Sequence, residues 1–415
     1  MIFLRKKYVW AGVFVLAGVN ILFLSFFIQG NNNVPRAGVS PVKETEMNYP
    51  ELDYLRTSPL KYFEELSEYF SGLAKKKGGE YAFEVLKRAA VGPDIDMHLL
   101  AHVVGDILYQ QQGLGGIKIC TEDFRNACSH SIVVGLFSEK GEAALPKIAQ
   151  ACYQAPGGSG AYTMCFHGLG HGMLAYASYN LEKAVGLCGK TGTAEYEYQE
   201  SSQCISGTIM EIISGGGHDP LLWAKQRPKY LRKDDPLYPC SSDSIPPHAK
   251  YLCYLYLTPH LFEVAGENHW TPTAKAFPLC DKIPRTDPGN RDACYGGFGK
   301  EFVGFVAQRD IRASSLKNVT ENQLKEMYDL CLAAGNQEGI LSCIRGATNS
   351  LFWGGENDRS IGLKFCSLMQ TQHQQNCFAN LMGAVNYYIK DPVYKKEFCK
   401  EVPKAYQQKC QEKLL

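Results

Sequence analysis

The chain has no CxxC pair, and no cysteine of any kind before position 120. The first absence argues against thioredoxin-like redox chemistry and zinc ribbons, and without a CxxCH there is no covalent haem attachment site. No HExxH occurs either. Leucine follows His98 and glycine follows His167, so a zincin-type protease is not supported. No GxSxG marks a nucleophilic serine, and the GxG runs follow no strand, so a dinucleotide or phosphate loop lacks its context. An excess of one charge is missing too. With 43 basic and 42 acidic residues the net charge is +1, which gives no reason to expect a nucleic acid partner.

What is present begins with a long apolar run. Arg5, Lys6 and Lys7 precede an uncharged stretch over 8–28, enough helix at 1.5 Å per residue to cover roughly 30 Å of bilayer. A cleaved signal peptide has a shorter apolar region and a small-x-small exit, whereas this stretch leaves through Phe26-Phe27-Ile28-Gln29-Gly30. Residues 1–30 therefore read as a cytoplasmic stub and uncleaved transmembrane signal anchor, touching the lipid bilayer through residues 8–28. Only Arg36 and Lys43 follow soon after, so the basic bias puts the N-terminus in the cytoplasm and the bulk outside it. The polar, proline-containing residues 31–50 read as a flexible linker, and 51–415 as an extracytoplasmic α-helical domain.

The sixteen cysteines agree with that compartment, since outside the cytosol such a count suggests disulfides. In order they form neighbouring pairs: 120–128, 152–165, 188–204, 240–253, 280–294, 331–343, 366–377 and 399–410. Separations are 8 to 16 residues within pairs and 22 to 37 between them. The second cysteine of a pair opens a recurring segment, as in CFHGLGHGML, CISGTIMEII, CYGGFGKEFV and CIRGATNSLF. Glycine stands three residues after it at Gly168, Gly207, Gly297 and Gly346. The period of 34 to 49 residues suits a helix–turn–helix repeat.

The expected fold is all-α: a helix-hairpin repeat array, an α/α solenoid or a closed α/α toroid, stapled by disulfides. Residues 51–119 would supply N-terminal capping helices and the first repeat, and 120–415 the cysteine-paired repeats. Early helices are expected from about 60 to 77, 80 to 90 and 96 to 112. In each repeat one helix should start at the second cysteine of a pair, and its partner should end near the first cysteine of the next. Disulfides would then join successive repeats, although bonding within a repeat stays open on sequence alone. The stretches 214–250 and 282–292 carry too much proline and charge for continuous helix.

The segments CYGGFG and CFHG resemble, over a few residues per repeat, the glycine-rich helix starts of lanthionine cyclases. The resemblance implies an α/α toroid, but that family's Cys/Cys/His zinc site does not carry over, because every cysteine here has a pairing partner. The cysteine-paired helical repeats also resemble secreted Sel1-like repeat proteins, whose spacing is tighter. Neither resemblance implies a function.

Histidine is where chemistry concentrates. Asp96-Met-His98-Leu-Leu-Ala-His102 aligns with Cys165-Phe-His167-Gly-Leu-Gly-His171, and Cys128-Ser-His130 repeats the first column. Five of the ten histidines thus occupy two columns of three consecutive repeats. Residues four apart share a helix face, so each HxxxH can present two imidazoles to one ion. His98, His102, His130, His167 and His171 are the candidate metal ligands. Asp106 extends the first stripe, and Glu211, His260 and Glu301 fall within one residue of the second column in later repeats, as candidate catalytic groups if the array curls closed. Imidazole with carboxylate suits zinc, iron or copper. A haem between two histidines is a weaker expectation. The remaining histidines, His218, His248, His269 and His373, read as surface, and Tyr176, Phe302, Phe305, Phe352 and Trp353 as core. The rival functional reading is a non-enzymatic concave scaffold for an unknown small-molecule, peptide or protein ligand.

Overall fold

Gly158–Tyr176 is the most deeply enclosed helix, with every residue from Gly160 to Leu174 buried. Apart from the face that carries His167 and His171 it is largely apolar, which is the pattern of a helix with neighbours all round it. The computed structural model describes residues 48–415, apart from 59, 93–94, 216–218, 268–271, 274 and 355–356. Among them all regular structure is helical. The anchor expected over 8–28 lies outside the described residues, as do His218 and His269. Within the described residues no helix is long and apolar enough to cross a membrane.

Tyr49 to Leu415 form one compact unit. Its long helices pack in chain order: Met97–Gln112 on Ala127–Lys140, then Gly158–Tyr176, Gln199–Ser214, Pro247–Tyr256, Pro288–Val306, Gln337–Gly354 and Thr371–Tyr388. Shorter helices cover the outside and bury only one stripe. In Glu321–Leu332 that stripe is Leu324, Met327, Tyr328 and Cys331, at the i, i+3, i+4, i+7 spacing of an amphipathic helix. The row also turns back on itself. Thr371–Tyr388 touches Gly158–Tyr176, and the Arg312 guanidinium donates to the Ala89 carbonyl at 2.6 Å. Arg125 reaches Ser350 Oγ at 3.4 Å, and Asn357 reaches the Glu122 carboxylate at 3.2 Å.

The glycine column has a steric cause. A Cβ on Gly207 would overlap the His167 carbonyl, one on Gly170 the Cys204 carbonyl, and one on Gly346 the Gly296 carbonyl. Successive long helices therefore cross backbone to backbone, a spacing only glycine permits.

All eight neighbouring cysteine pairs are disulfide-bonded, with Cα–Cα distances of 5.3 to 5.8 Å. One local expectation is corrected. Cys128 does stand at the start of its helix, beside Ala127, but later second cysteines sit inside theirs, for Cys165 follows a start at Gly158 and Cys343 a start at Gln337. The connection ends at Gly157, whose φ of 109° turns the chain, so the helix begins ahead of Cys165. Within 214–250, Trp223 Nε1 donates to the Glu211 and Ile212 carbonyls, both at 3.0 Å, and Arg227 Nε to the Ile213 carbonyl at 3.2 Å. This insertion caps the exposed carbonyl end of Gln199–Ser214.

Candidate metal centre

The two HxxxH faces and His130 meet. Ring centroids lie 4.7 Å apart for His98 and His102 and 5.2 Å for His167 and His171. His130 stands between the pairs, 5.6, 5.7, 5.7 and 6.0 Å from His98, His102, His167 and His171. Ligand atoms of His98, His102 and His130 all lie within 4.8 Å of one another. His130 and His167 are each 1 % exposed. Gly168 makes room for His130, whose ring occupies the space a Cβ at 168 would take.

The hydrogen bonds around the cluster fix which nitrogen faces inward, the tautomers following from the network. His98 Nδ1 contacts the Phe124 carbonyl at 2.7 Å, an acceptor only, so this nitrogen carries the proton. The Ser131 hydroxyl donates to the His102 carbonyl at 3.0 Å, leaving its oxygen to accept from His102 Nδ1 at 3.1 Å. Ser206 does the same, donating to the Gln203 carbonyl at 2.7 Å and accepting from His167 Nδ1 at 2.8 Å. His171 Nδ1 donates to Glu211 Oε2 at 2.9 Å, and the Tyr179 hydroxyl holds Oε1 at 3.0 Å. The Nε2 atoms of these rings are left for other partners, and that of His167 lies 3.3 Å from Met210 Sδ. Those of His98 and His102 stand 3.1 Å apart, and His171 Nε2 and both nitrogens of His130 are buried without a partner. Opposed lone pairs and orphaned buried nitrogens are unfavourable by themselves, and a shared cation satisfies them together.

Protons do not fill this role near neutral pH. Burial drives His98 down to about 4, against the opposing pull of Asp96 and of the Phe124 carbonyl. Burial, then the surrounding imidazoles, hold His130 well below the ordinary histidine range, and burial followed by His171 and His98 does so for His167. The Phe124 carbonyl is aimed by an unusual backbone. Phe124, Arg125 and Asn126 have φ of 58°, 53° and 64°, three consecutive left-handed residues without a glycine. Such conformations cost about 1–2 kcal/mol each and cluster where geometry serves a site.

No family model, curated protein or solved structure matches the chain.

The remaining candidates divide. Glu211 belongs to the cluster through His171. Asp106 is exposed, one turn beyond the half-buried His102 and away from the buried face. His260 is buried but turned to the insertion, its Nε2 donating to the Arg232 carbonyl at 3.2 Å. Glu301 is paired with Lys300 and Arg309, not with a histidine. His248 is exposed as expected, but His373 is not a surface residue. It is 1 % exposed, with the Tyr328 hydroxyl 2.6 Å from Nδ1, because it faces the outer-helix stripe that carries Tyr328. Of the aromatic stripe, Phe302 and Phe352 are core, whereas Tyr176 is 47 % exposed. The residues missed by sequence reasoning are the positioning partners Ser131, Ser206, Tyr179 and the Phe124 carbonyl. Ser206 stands two residues after Cys204, in the column that holds His130 and His167, and Ser131 one residue beyond that column, which is the only signal the sequence carries for them.

Proposed function

We propose that this chain is a membrane-anchored, extracytoplasmic metalloprotein, built as a helical-repeat array curled on itself. His98, His102 and His130 hold one transition metal ion (zinc, iron or copper), with His167 and His171 as additional or exchanging ligands. The observation that carries this reading is that ligand atoms of His98, His102 and His130 lie within 4.8 Å of one another while Nδ1 of His98, His102, His167 and His171 is held by a hydrogen bond to a neighbour. Metal-ligating histidines almost always show this arrangement, with the other ring nitrogen hydrogen-bonded to fix the tautomer. Neutral nitrogen donors suit these metals and suit magnesium or calcium poorly. Three protein nitrogens leave a further position for water or substrate, where a bound ion would act as Lewis acid or redox partner. The chain's own contribution is to hold the imidazoles neutral, orient them through Ser131, Ser206 and Glu211, and exclude bulk water. The eight disulfides fit the oxidising side of a membrane, and the run over 8–28 supplies the anchor.

A haem is disfavoured at the His98–His102 pair. Two axial nitrogens across one iron need about 4 Å, twice a metal–nitrogen distance of about 2.0–2.1 Å, and these two stand 3.1 Å apart. Elemental analysis of the untagged full-length chain tests the proposal, alongside H98A and H130A. Bound transition metal in the parent that is lost in both variants supports it. A parent free of metal after incubation with zinc, iron and copper would favour the scaffold reading.

A further inference from the structure

His130 differs from the other four histidines of the cluster. Each of those has Nδ1 held by a neighbour outside the cluster, whereas both nitrogens of His130 are buried with no hydrogen-bond partner. A histidine that ligates one ion ordinarily rests its second ring nitrogen on a hydrogen-bond acceptor. None of the described residues does this for His130. What flanks it is imidazole. Its ring lies 5.6 and 5.7 Å from His98 and His102, and 5.7 and 6.0 Å from His167 and His171. The helix that carries it, Ala127–Lys140, packs against both helices that carry those pairs. Against Gly168 the ring is pressed on carbon, since Cδ2 and Cγ are what a Cβ there would strike first. The His167 side has donors of its own. His171 Nε2 is buried without a hydrogen-bond partner, and His167 Nε2 lies 3.3 Å from Met210 Sδ. Ser206 keeps the His167 proton on Nδ1, so nitrogen and sulfur present lone pairs to each other. A tetrahedral ion about 2.0–2.1 Å from a nitrogen and about 2.3 Å from a sulfur holds the two about 3.5 Å apart. The observed separation is close to that bite.

We propose that His130 bridges two metal ions, one held with His98 and His102, the second a copper ion held with His167, His171 and Met210. This second ion rests on the metal reading, since it shares a ligand with the first. Imidazoles with a thioether suit copper. The first ion fills the three-histidine position, and the second follows at higher metal concentration. A neutral imidazole has one nitrogen lone pair and one N–H. Binding of the second ion therefore breaks the N–H bond of His130 and sends the proton to solvent. The electron pair left behind forms the new nitrogen–copper bond. Two ions on opposite nitrogens of one ring stand about 6 Å apart, two bonds of about 2.0–2.1 Å plus the width of the ring.

The test is titration of copper(II) into detergent-solubilised full-length chain stripped by chelation, followed by elemental analysis and low-temperature electron paramagnetic resonance. The parent should take up two copper ions and lose most of their signal, because an imidazolate bridge couples the two spins antiferromagnetically. His167→Ala should hold one copper ion with its full signal restored. Should that variant fail to fold, His171→Ala decides, with the same expectation. With copper(I), Met210→Leu should lose the second ion at a concentration that saturates the parent. Equal retention by both would remove the thioether, and with it the assignment of the second ion to copper. One copper ion per chain with full signal, lost in H98A, keeps the metal reading and overturns the bridge. Two copper ions whose signals both stay visible overturn the bridge as well, as does coupling that survives in His167→Ala. A parent that takes up no transition metal removes both.

Discussion

Replacing His130 by leucine should have opposite consequences with and without metal. A neutral imidazole has one donor and one acceptor, and at His130 both nitrogens are buried with no partner. Each orphaned group costs about 1–3 kcal/mol, whereas a change of shape at similar volume costs less than about 1.5 kcal/mol. In the metal-free chain H130L is therefore expected to be neutral or stabilising by about 1–4 kcal/mol, when a buried histidine holding the core together would lose stability. Loaded chain behaves differently. An ion present at about 1,000 times its Kd stabilises by about 4 kcal/mol, and deleting the central ligand should remove most of that. Scanning calorimetry of full-length parent and H130L, each chelated or saturated with zinc, reads both effects. At about 2–4 °C per kcal/mol for domains of 150–250 residues, and less for larger ones, the shifts amount to several degrees. A chelated H130L that melts well below the parent while retaining the metal-induced rise would refute the reasoning.

Glu211→Gln should weaken metal binding by about 10–100-fold, the usual effect of losing an orienting partner, with the helical circular dichroism unchanged. G168A should destabilise and reduce metal uptake, because its methyl group would take the place of the His130 ring. Gly186→Ala, in a helix with open space at that Cβ, should instead stabilise by about 0.5–1 kcal/mol, as chemical denaturation would report. Acid stability offers a separate check at Glu301. Burial raises its pKa, but Lys300 and Arg309 outweigh that and hold the carboxyl at about 2. Its folded value lies below the ordinary 4.5, so its contribution is present above pH 4.5 and is lost as pH falls toward 2. Unfolding midpoints between those limits should fall less steeply in Glu301→Gln than in the parent. Peptide mapping without reduction should recover only neighbouring-pair disulfides, and any other pairing would contradict the fold.

Much of the scaffold was readable because its constraints are local. Cys152 and Cys165 are close in sequence and in space, and the stripe of Leu324, Met327, Tyr328 and Cys331 follows helical periodicity. The histidine columns were legible for a related reason: equivalent positions on neighbouring long helices come to face one another. What escaped depends on contacts between distant segments. Nothing near Arg125 announces that Ser350 will be its neighbour. The left-handed run at Phe124, Arg125 and Asn126 contains no glycine to betray it. His373 was misjudged as a surface residue, since exposure turns on which outer helix covers a face. His260 matched a column within one residue, but the helix there is short, Thr258–Val264, and aims it at the insertion.

The ligand set itself is most directly examined by X-ray absorption at the metal edge, on full-length protein loaded with one transition ion per chain. The account predicts a first shell of about three imidazole nitrogens at about 2.0–2.1 Å, with no thiolate scatterer near 2.3 Å. That shell should collapse to fewer imidazoles in H98A. A sulfur-rich shell, a hexa-aquo spectrum, or a spectrum unchanged by H98A would contradict it.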